Sequence, residues 1–372
     1  MTAKLTSNTT SKSKSFQTPK SAGYRMPAEW ERHEATWLSW PKDPVTWPGR
    51  VPQAEEIFIK MITVLSPHET VNLLVNDAKT EENVSKRLKA AGTDLKNVKI
   101  HKIVTVDSWI RDYGPIFIIR ERKGVRPLDS RGLTPFREIA YTDWIFNAWG
   151  GKYADLAKDN VIPEKLEPVL KIPRFETRLV LEGGSIDVNG SGTLLTTEQC
   201  LLTNTRNPHL SKEGIEKALS DYLGIKHVIW LGEGIVGDDT DGHVDDIVRF
   251  VGPKTVICAL EEDEHDANYP MLKENYERLK QAVDQDGKKL EVIPFPMPGK
   301  VMSDEGRLPA SYANFYIANH VVLVPVFGHK NDKFALAILK EMFPKREIAG
   351  IHCEPLVWGL GAIHCVTQQQ PA

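Results

Sequence analysis

The sequence of 372 residues has few cysteines and no paired cysteine motif. The four that are present, Cys200, Cys258, Cys353 and Cys365, are too far apart to form a C-x-x-C pair. This spacing argues against a structural zinc site, and a chain of this length does not depend on a disulfide scaffold. We therefore expect free thiols in a reducing compartment, the cytoplasm.

Long apolar runs and an excess of either charge are also absent. No apolar stretch approaches the roughly 18–20 residues that a transmembrane helix needs, and the N-terminal stretch lacks the apolar core of a signal peptide. The 47 Lys and Arg residues nearly balance the 50 Asp and Glu residues, which leaves a net charge of −3. This balance shows no excess of basic residues of the kind that binds nucleic acid or a membrane surface, so we predict neither as a partner.

Residues 1–23 are rich in Ser, Thr and Lys and contain no acidic residue. This composition is typical of a disordered tail. An organelle transit peptide is the alternative, although the amphipathic Arg-rich pattern of such peptides is missing. No linker or change of composition divides residues 24–372, so we predict that they form one domain.

Helical and extended patterns alternate along the chain, which predicts an α/β fold. Three stretches, beginning near residues 180, 245 and 312, share the order hairpin, helix, strand, and the first part of the chain can be cut into two looser units of similar size. In the first hairpin, strands at 177–182 and 185–188 are predicted to flank a Gly-Gly turn. The pattern suggests five ββαβ units around a central cavity. An irregular mixed α/β sheet is the alternative.

Two stretches place acidic residues beside turn-forming glycines. In residues 107–115, Asp112 follows Trp109, and a large aromatic side chain lowers water access and strengthens the electrostatics of a carboxylate. Glu182 ends an apolar strand and precedes two glycines that would let another group approach the backbone closely. The alternatives are solvated acids in a turn and a plain hairpin turn.

Residues 237–246 contain five acids and one histidine, at a spacing that does not fit an EF-hand. In extended chain, His243 and Asp245 would lie on one face, where both could contact one ligand. The carboxylate would attract a cation, and the histidine could transfer protons near neutral pH. The alternative is a structural histidine in a loop.

The setting of Cys365 differs from that of the other cysteines. Cys258 lies in an apolar strand, and Cys200 and Cys353 have similar apolar neighbours, which indicates buried structural thiols. Cys365 follows two glycines, adjoins His364 and precedes a threonine and three glutamines. A single cysteine with a distant histidine is a candidate nucleophile. A structural thiol is the alternative here too.

Five sequence blocks, in order along residues 24–372, resemble agmatine deiminase of the pentein superfamily of guanidine-modifying enzymes. The blocks are Met26-Pro27-Ala28-Glu29-Trp30, Trp109-Ile110-Arg111-Asp112, Glu182-Gly183-Gly184-Ser185, Asp241-Gly242-His243-Val244-Asp245 and the segment from Ile363 to Pro371. The resemblance implies a fivefold pseudosymmetric α/β propeller and hydrolysis of a small cationic guanidine, agmatine, to N-carbamoylputrescine and ammonia. It implies no metal and no organic cofactor.

The resemblance also implies a role for each site residue. The roles are nucleophile for Cys365, general acid and base for His243, guanidinium binding for Asp112 and Asp245, support of the cationic histidine for Glu182, and the wall of the guanidinium site for Trp109. For the distal ammonium of agmatine, the candidates are Asp238, Asp239 and Asp241.

The sequence departs from the family pattern at Leu360, Ala362 and Tyr113. Leu360 replaces a glycine that would permit positive φ or close packing, Ala362 removes a side-chain amide, and Tyr113 replaces a small polar residue. An arginine or peptidylarginine deiminase on the same fold is one alternative function. A non-catalytic binding protein of this fold is an alternative of another class. The sequence does not determine the oligomeric state and leaves a homodimer open.

Overall fold

A computed structural model of the chain describes residues 18–122 and 136–372. Their strands are β1 (His33–Ser39), β2 (Thr70–Val75), β3 (Val98–Lys102), β4 (Ile116–Arg122), β5 (Phe136–Ile145), β6 (Arg174–Val180), β7 (Asp187–Val188), β8 (Thr193–Thr197), β9 (His227–Leu231), β10 (Val248–Phe250), β11 (Thr255–Leu260), β12 (Glu291–Pro296), β13 (Met302–Ser303), β14 (Gly306–Arg307), β15 (Tyr316–Ile317), β16 (Val321–Val326), β17 (Glu347–His352) and β18 (Gln368–Pro371).

Helices connect and cover these strands. The α-helices are α1 (Val51–Leu65), α2 (Ala78–Ala90), α3 (Ile110–Tyr113), α4 (Ala148–Gly151), α5 (Ile162–Leu170), α6 (Glu198–Leu201), α7 (Lys212–Leu223), α8 (Tyr269–Gln281), α9 (Asp332–Met342) and α10 (Glu354–Val357). Short 3-10 helices lie at Lys20–Ala22, Leu95–Asn97, Leu156–Val161, Gly183–Ser185 and Val244–Asp246.

The strands form five separate sheets and a small hairpin, β13–β14, within the described residues. Four sheets have the orders β4-β5-β6, β7-β8-β9, β10-β11-β12 and β15-β16-β17. In each, the first pair is antiparallel and the second is parallel. A parallel pair needs a crossover connection, and helices α5, α7, α8 and α9 lie in these four crossovers. The repeated ββαβ order predicted from the sequence is therefore confirmed.

The first sheet joins the two ends of the described chain. Its order is β18-β1-β2-β3, so the strand that follows Cys365 pairs antiparallel with β1. Trp37 lies opposite Gln368 in this pairing, and the indole Nε1 of Trp37 donates to Gln370 Oε1 at 2.8 Å. This sheet thus holds the segment of the candidate nucleophile against the N-terminal unit.

The predicted hairpin turn at Gly183 and Gly184 is wrong. These residues belong to the 3-10 helix Gly183–Ser185, which connects β6 to β7 in two different sheets. The antiparallel partner of β7 is β8. A Cβ on Gly183 would overlap the carbonyl oxygen of Arg111, so the turn is packed tightly against α3. Close approach of neighbouring segments, rather than hairpin geometry, explains the two glycines.

The core forms from helices that bury one side against the sheets. Helix α1 buries Ile57, Phe58, Ile62 and Leu65, which recur at helical spacing. Burial of each such side chain stabilises the fold by about 1.5–3 kcal/mol. Asp77 directly precedes helix α2, and its side chain caps the helix by accepting the backbone N–H of Thr80, the third helical residue. The spacing of apolar residues in the sequence predicts a helix over residues 51–65, and residues 80–92 are predicted as a polar helix. Both ranges agree with the structure to within two residues.

Of the tail predicted at residues 1–23, residues 1–17 lie outside the described residues. Residues 18–23 include the 3-10 helix Lys20–Ala22, whose Lys20 side chain donates to Ser220 on α7. None of the helices in residues 18–122 and 136–372 has the length and apolar character needed to cross a membrane. The cytoplasmic location stays a prediction.

Candidate active site

Each connection between successive sheets contributes a side chain to one buried cluster. The connection from β3 to β4 carries Asp112, that from β6 to β7 carries Glu182, and that from β9 to β10 carries His243 and Asp245. The connection from β17 to β18 carries Cys365. All five side chains are buried. The repeated unit therefore brings together residues that are distant in sequence.

Three of these side chains meet at Gly184. A Cβ built on Gly184 would lie 2.6 Å from His243 Nδ1, 2.9 Å from Asp112 Oδ1 and 3.0 Å from Asp245 Oδ2. His243 Nδ1 and Asp112 Oδ1 are 3.8 Å apart. Glycine at this position lets the imidazole and both carboxylates approach the same point on the backbone.

Asp112 is held by two hydrogen bonds. Its Oδ1 accepts the backbone N–H of Gly184 at 2.9 Å, and its Oδ2 accepts Trp149 Nε1 at 2.9 Å. Trp149 has a φ of 53°, and its neighbour Ala148 has a φ of 55°. Such left-handed backbone in non-glycine residues costs on the order of 1–3 kcal/mol each and is typical of functional sites. Burial, together with the negative charge of Asp245, raises the pKa of Asp112 well above its usual value.

Asp245 has one occupied and one free oxygen. Its Oδ2 lies 2.6 Å from His364 Nδ1, while its Oδ1 has no hydrogen-bond partner in the described part of the chain. The other ring nitrogen of His364, Nε2, lies 2.8 Å from Glu29 Oε2. Burial alone would raise the pKa of Asp245, but the hydrogen bond and charge of His364 lower it below its usual value. Asp245 is therefore ionised and presents a free acceptor.

His243 lies at the N-cap of the 3-10 helix Val244–Asp246, so the predicted extended His-x-Asp conformation is wrong. Asp238 Oδ2 accepts the backbone N–H of Gly242 at 2.9 Å and that of His243 at 3.0 Å, which sharpens the turn. Both side chains of the pair still reach the site because Gly184 lies against both. Burial lowers the pKa of His243 to about 3, so its imidazole is neutral near pH 7.

Glu182 lies close to the ring of His243, with a carboxylate oxygen within 4.8 Å of a ring nitrogen. Its Oε1 accepts Arg206 Nε at 3.0 Å, and its Oε2 has no partner among the described residues. Burial raises the pKa of Glu182, and the charge of Arg206 opposes that effect. The arrangement leaves one carboxylate oxygen available to a protonated imidazole.

The thiol of Cys365 contacts an asparagine that the sequence reasoning missed. Asn314 Nδ2 donates to Cys365 Sγ at 3.1 Å and to Asp246 Oδ1 at 3.0 Å, and Asn314 Oδ1 accepts the backbone N–H of His364 at 2.9 Å. Cys365 Sγ lies 4.0 Å from Asp245 Oδ2. Burial and the charges of Asp245 and Asp246 raise the pKa of the Cys365 thiol well above its usual value.

Asn314 lies in the connection from β12 to β15. This was the one connection between sheets for which the sequence predicted no site residue. The internal repeat was the signal that could have identified it, because each other connection already carried a candidate.

Trp109 packs against the segment that carries Cys365. A Cβ on Gly361 would lie 2.5 Å from Trp109 Cζ3 and 3.2 Å from Cys365 Cβ, so only glycine fits between them. Leu360 has a φ of 70°, the positive φ anticipated for this position. Arg111 binds the same segment, since its Nη1 donates to Gln369 Oε1 at 2.8 Å.

The remaining residues singled out from the sequence have structural partners. Tyr113 is buried and its hydroxyl donates to the Asp107 carbonyl oxygen at 2.8 Å. Among the candidates for the distal ammonium, Asp238 binds the backbone before His243, as described above. Asp239 accepts a hydrogen bond from Tyr153, and Asp241 forms ion pairs with Arg206 and Lys152.

Comparison with known proteins gives consistent matches over nearly the whole chain. The model of the family described as Porphyromonas-type peptidyl-arginine deiminase matches residues 25–371. The agmatine deiminase of Medicago truncatula is 40% identical, over 95% of this chain and 98% of the relative. The agmatine deiminase of Ectopseudomonas mendocina is 38% identical, over 95% of this chain and 97% of the relative.

A solved structure agrees with these matches. The agmatine deiminase of Enterococcus faecalis superposes with a TM-score of 0.85 at 35% identity, covering 95% of this chain and 98% of that one. This similarity confirms the predicted α/β fold, and the five separate sheets are consistent with a fivefold arrangement. The chain belongs to the Porphyromonas-type peptidyl-arginine deiminase family.

Proposed function

We propose that this protein is an agmatine deiminase, a hydrolase that converts agmatine to N-carbamoylputrescine and ammonia in putrescine biosynthesis. The observation that carries the proposal is the meeting of His243, Asp112 and Asp245 at Gly184, with Cys365 Sγ 4.0 Å from Asp245 Oδ2. A planar cation, a thiol and a proton-transferring imidazole would share this space. The agmatine deiminases that resemble the chain over nearly its whole length support the same assignment.

Asp112 and Asp245 bind the guanidinium of the substrate. Carboxylates pair with guanidinium N–H groups in a planar geometry that fixes orientation as well as position. The free Oδ1 of Asp245 accepts one such N–H. The bound cation offsets the repulsion between Asp112 and Asp245 and favours their ionised forms. This pairing places the central carbon of the guanidinium beside Cys365, and proximity removes much of the entropic barrier.

Substrate binding also activates the thiol. In the free protein Cys365 is protonated, because burial and then the neighbouring carboxylates raise its pKa. The positive charge of the guanidinium favours the thiolate, and the thiol proton passes to neutral His243. The thiolate then forms a C–S bond to the guanidinium carbon, which gives a neutral tetrahedral adduct. Glu182 stabilises the resulting imidazolium of His243.

Collapse of the adduct breaks one C–N bond. His243 returns its proton to the departing nitrogen, ammonia leaves, and a cationic amidino-thioether remains on Cys365. Water, deprotonated by His243, adds to the same carbon to give a second neutral adduct. The C–S bond then breaks as the hydroxyl proton of this adduct passes to the sulfur, which releases the ureido product and restores the Cys365 thiol, and His243 loses its proton to solvent. The covalent route divides one difficult displacement into two easier steps. Each step uses side chains of this chain alone.

The charges around the site favour an amine over a carboxylate at the far end of the substrate. The positive charges of Arg206 and Lys152 help to lower the pKa of His243. Both side chains are already paired with Asp241. A substrate carboxylate, as in free arginine, would find neither cation free. The family to which the chain belongs is named for peptidyl-arginine deiminase, so a peptidylarginine deiminase is the second candidate function. A non-catalytic binding role does not explain why a thiol, an imidazole and two carboxylates share one buried space.

The test is turnover of agmatine, free arginine and a peptidyl-arginine at matched concentrations, with ammonia and ureido groups both measured. Agmatine should be deiminated fastest, and faster turnover of either arginine form would overturn the substrate assignment. Mass spectrometry of acid-quenched protein should show an amidino adduct on Cys365. In Cys365→Ser, both the adduct and turnover should be lost, and retention of a tenth of wild-type kcat would exclude Cys365 as the nucleophile.

A further inference from the structure

Cys200 lies beside the candidate histidine. It is part of a buried apolar cluster, as the sequence predicts, but two polar side chains of the candidate site also lie next to it. It belongs to the short helix α6, which begins after Thr197, and it is fully buried. Its Sγ, a carboxylate oxygen of Glu182 and a ring nitrogen of His243 all lie within 4.8 Å of one another. The steps proposed above give the Cys200 thiol no role.

The other two side chains of this cluster carry buried atoms without partners. Among the described residues, Glu182 Oε2 and both ring nitrogens of His243 lack any hydrogen bond, although both side chains are almost completely buried. Buried polar atoms nearly always have a partner, so each exception asks for an explanation. Proton transfer during turnover explains an available imidazole, but it does not explain a thiol at the same point.

We propose that Glu182, Cys200 and His243 form an inhibitory site for a thiophilic divalent cation such as Zn²⁺. Thiolate, imidazole and carboxylate are the three groups that bind zinc in proteins, at about 2.0–2.3 Å. The ligand atoms are close enough to reach those distances by small side-chain rotations. Three protein ligands leave a fourth tetrahedral position for water.

The charges around the cluster are compatible with a dication. Arg206 is a cation next to the cluster and would repel a metal ion, but its Nε already pairs with Glu182 Oε1 and its Nη1 with Asp241. Binding of the metal releases the Cys200 thiol proton to solvent and leaves Glu182 ionised. The metal takes the lone pair of His243, which can then no longer carry a proton to the departing ammonia. Occupancy therefore stops deimination without any contact to Cys365.

The first experiment titrates Zn²⁺ against agmatine turnover, and this arm rests on the proposed function. Wild-type protein should be inhibited, while Cys200→Ala should keep its basal turnover and need a much higher Zn²⁺ concentration. Loss of a residue that only hydrogen-bonds to a metal ligand weakens metal binding by roughly 10–100-fold. Loss of a direct ligand should therefore raise the inhibitory Zn²⁺ concentration by at least that factor. Cys258→Ala, which removes a buried thiol on β11, should be inhibited like wild type. Equal inhibition of Cys200→Ala and wild type would overturn the proposal.

The second experiment measures binding directly and does not depend on turnover. Cd²⁺ is titrated into Cys365→Ser, and the ultraviolet thiolate-to-metal absorption should reach saturation at one equivalent. The band should be absent from Cys200→Ala, with Cys200→Ser as the second variant if circular dichroism shows that the alanine variant does not fold. A band that persists without Cys200 but disappears without Cys365 would place the metal on the nucleophile and refute the site. Failure of the proposed function would leave this result unaffected.

Discussion

His364 holds Asp245 by a hydrogen bond of 2.6 Å between Nδ1 and Oδ2, so the residue before the proposed nucleophile orients a proposed guanidinium ligand. The other ring nitrogen is anchored on Glu29, whose carboxylate also pairs with Arg249 at 2.9 Å. Arg249 in turn pairs with Asp187. The position of Asp245 thus depends on a buried chain of charges that runs from Glu29, before β1, to Arg249 in β10 and Asp187 in β7.

Replacing His364 by Gln should impair the enzyme by misplacing Asp245. Loss of one partner of a buried charge pair costs about 2–5 kcal/mol, which corresponds to at least a tenfold loss of kcat/KM. Because His364 lowers the pKa of Asp245, its removal should raise that pKa. As the pH is lowered, the variant should therefore lose activity at a higher pH than wild type. The pH profile of kcat/KM measures this shift. The exposed His352→Gln is the control, and an unchanged acid limb in His364→Gln would contradict this role.

Asn314 should stabilise the thiolate of Cys365 through its Nδ2 donor. Removal of one comparable donor to a developing anion costs about 10²–10³ in kcat, and we expect a loss of this size in Asn314→Ala. Asn314→Asp keeps the shape but adds a negative charge, so it should raise the thiol pKa further. The measurement is the rate of Cys365 alkylation by iodoacetamide against pH. Identical alkylation profiles in wild type and both variants would show that Asn314 has only a structural role.

The pH dependence of the reaction should differ between free and substrate-bound protein. In the free protein, burial and the charges of Asp245 and Asp246 raise the pKa of Cys365, so the thiolate forms only as the pH rises. The guanidinium of the substrate opposes these charges and lowers that pKa. The kcat/KM profile reports the free protein and the kcat profile reports the complex. The rising limb of kcat should therefore lie at lower pH than that of kcat/KM, and coincident limbs would argue against activation by the substrate.

Gly184→Ala should abolish turnover with a smaller effect on the fold. The added methyl group would occupy the space shared by His243, Asp112 and Asp245. Displacing groups by about 1 Å in a reacting geometry can cost 10²-fold, so we expect a loss of kcat of at least about that size. Gly214→Ala is the matched control, because Gly214 lies in α7 with ordinary space around it. That control should keep wild-type activity and gain about 0.5–1 kcal/mol of stability. Wild-type turnover in Gly184→Ala would show that these three side chains do not act together.

Local sequence patterns predicted helices and strands well where residues close together in sequence determine them. Helix α1 has the predicted range because its apolar positions recur at helical spacing. The glycines at 183–184 were misread because a turn between two sheets and a hairpin turn have the same composition. The extended conformation expected at His243 was wrong because Asp238, five residues earlier, turns the backbone through its side chain.

The part of the site that the sequence could not reveal depends on contacts between distant segments. Asn314 meets Cys365 across 51 residues, and His364 meets Glu29 across 335. Cys200 has apolar neighbours in sequence, yet a carboxylate and an imidazole from other connections lie beside it. The resemblance to a known family identified the proposed catalytic side chains, but not the residues that hold them.

The pairing of β18 with β1 also bears on the order of folding events. Trp37 and Gln368 face each other across this pair although 331 positions separate them along the chain, from 37 to 368. Contacts between such distant positions form slowly, because the chain entropy of a large loop must be lost first. The segment of Cys365 cannot take its place until this pairing forms. During refolding, helical structure should therefore return first, and the capacity for catalysis should be among the last properties that the chain regains.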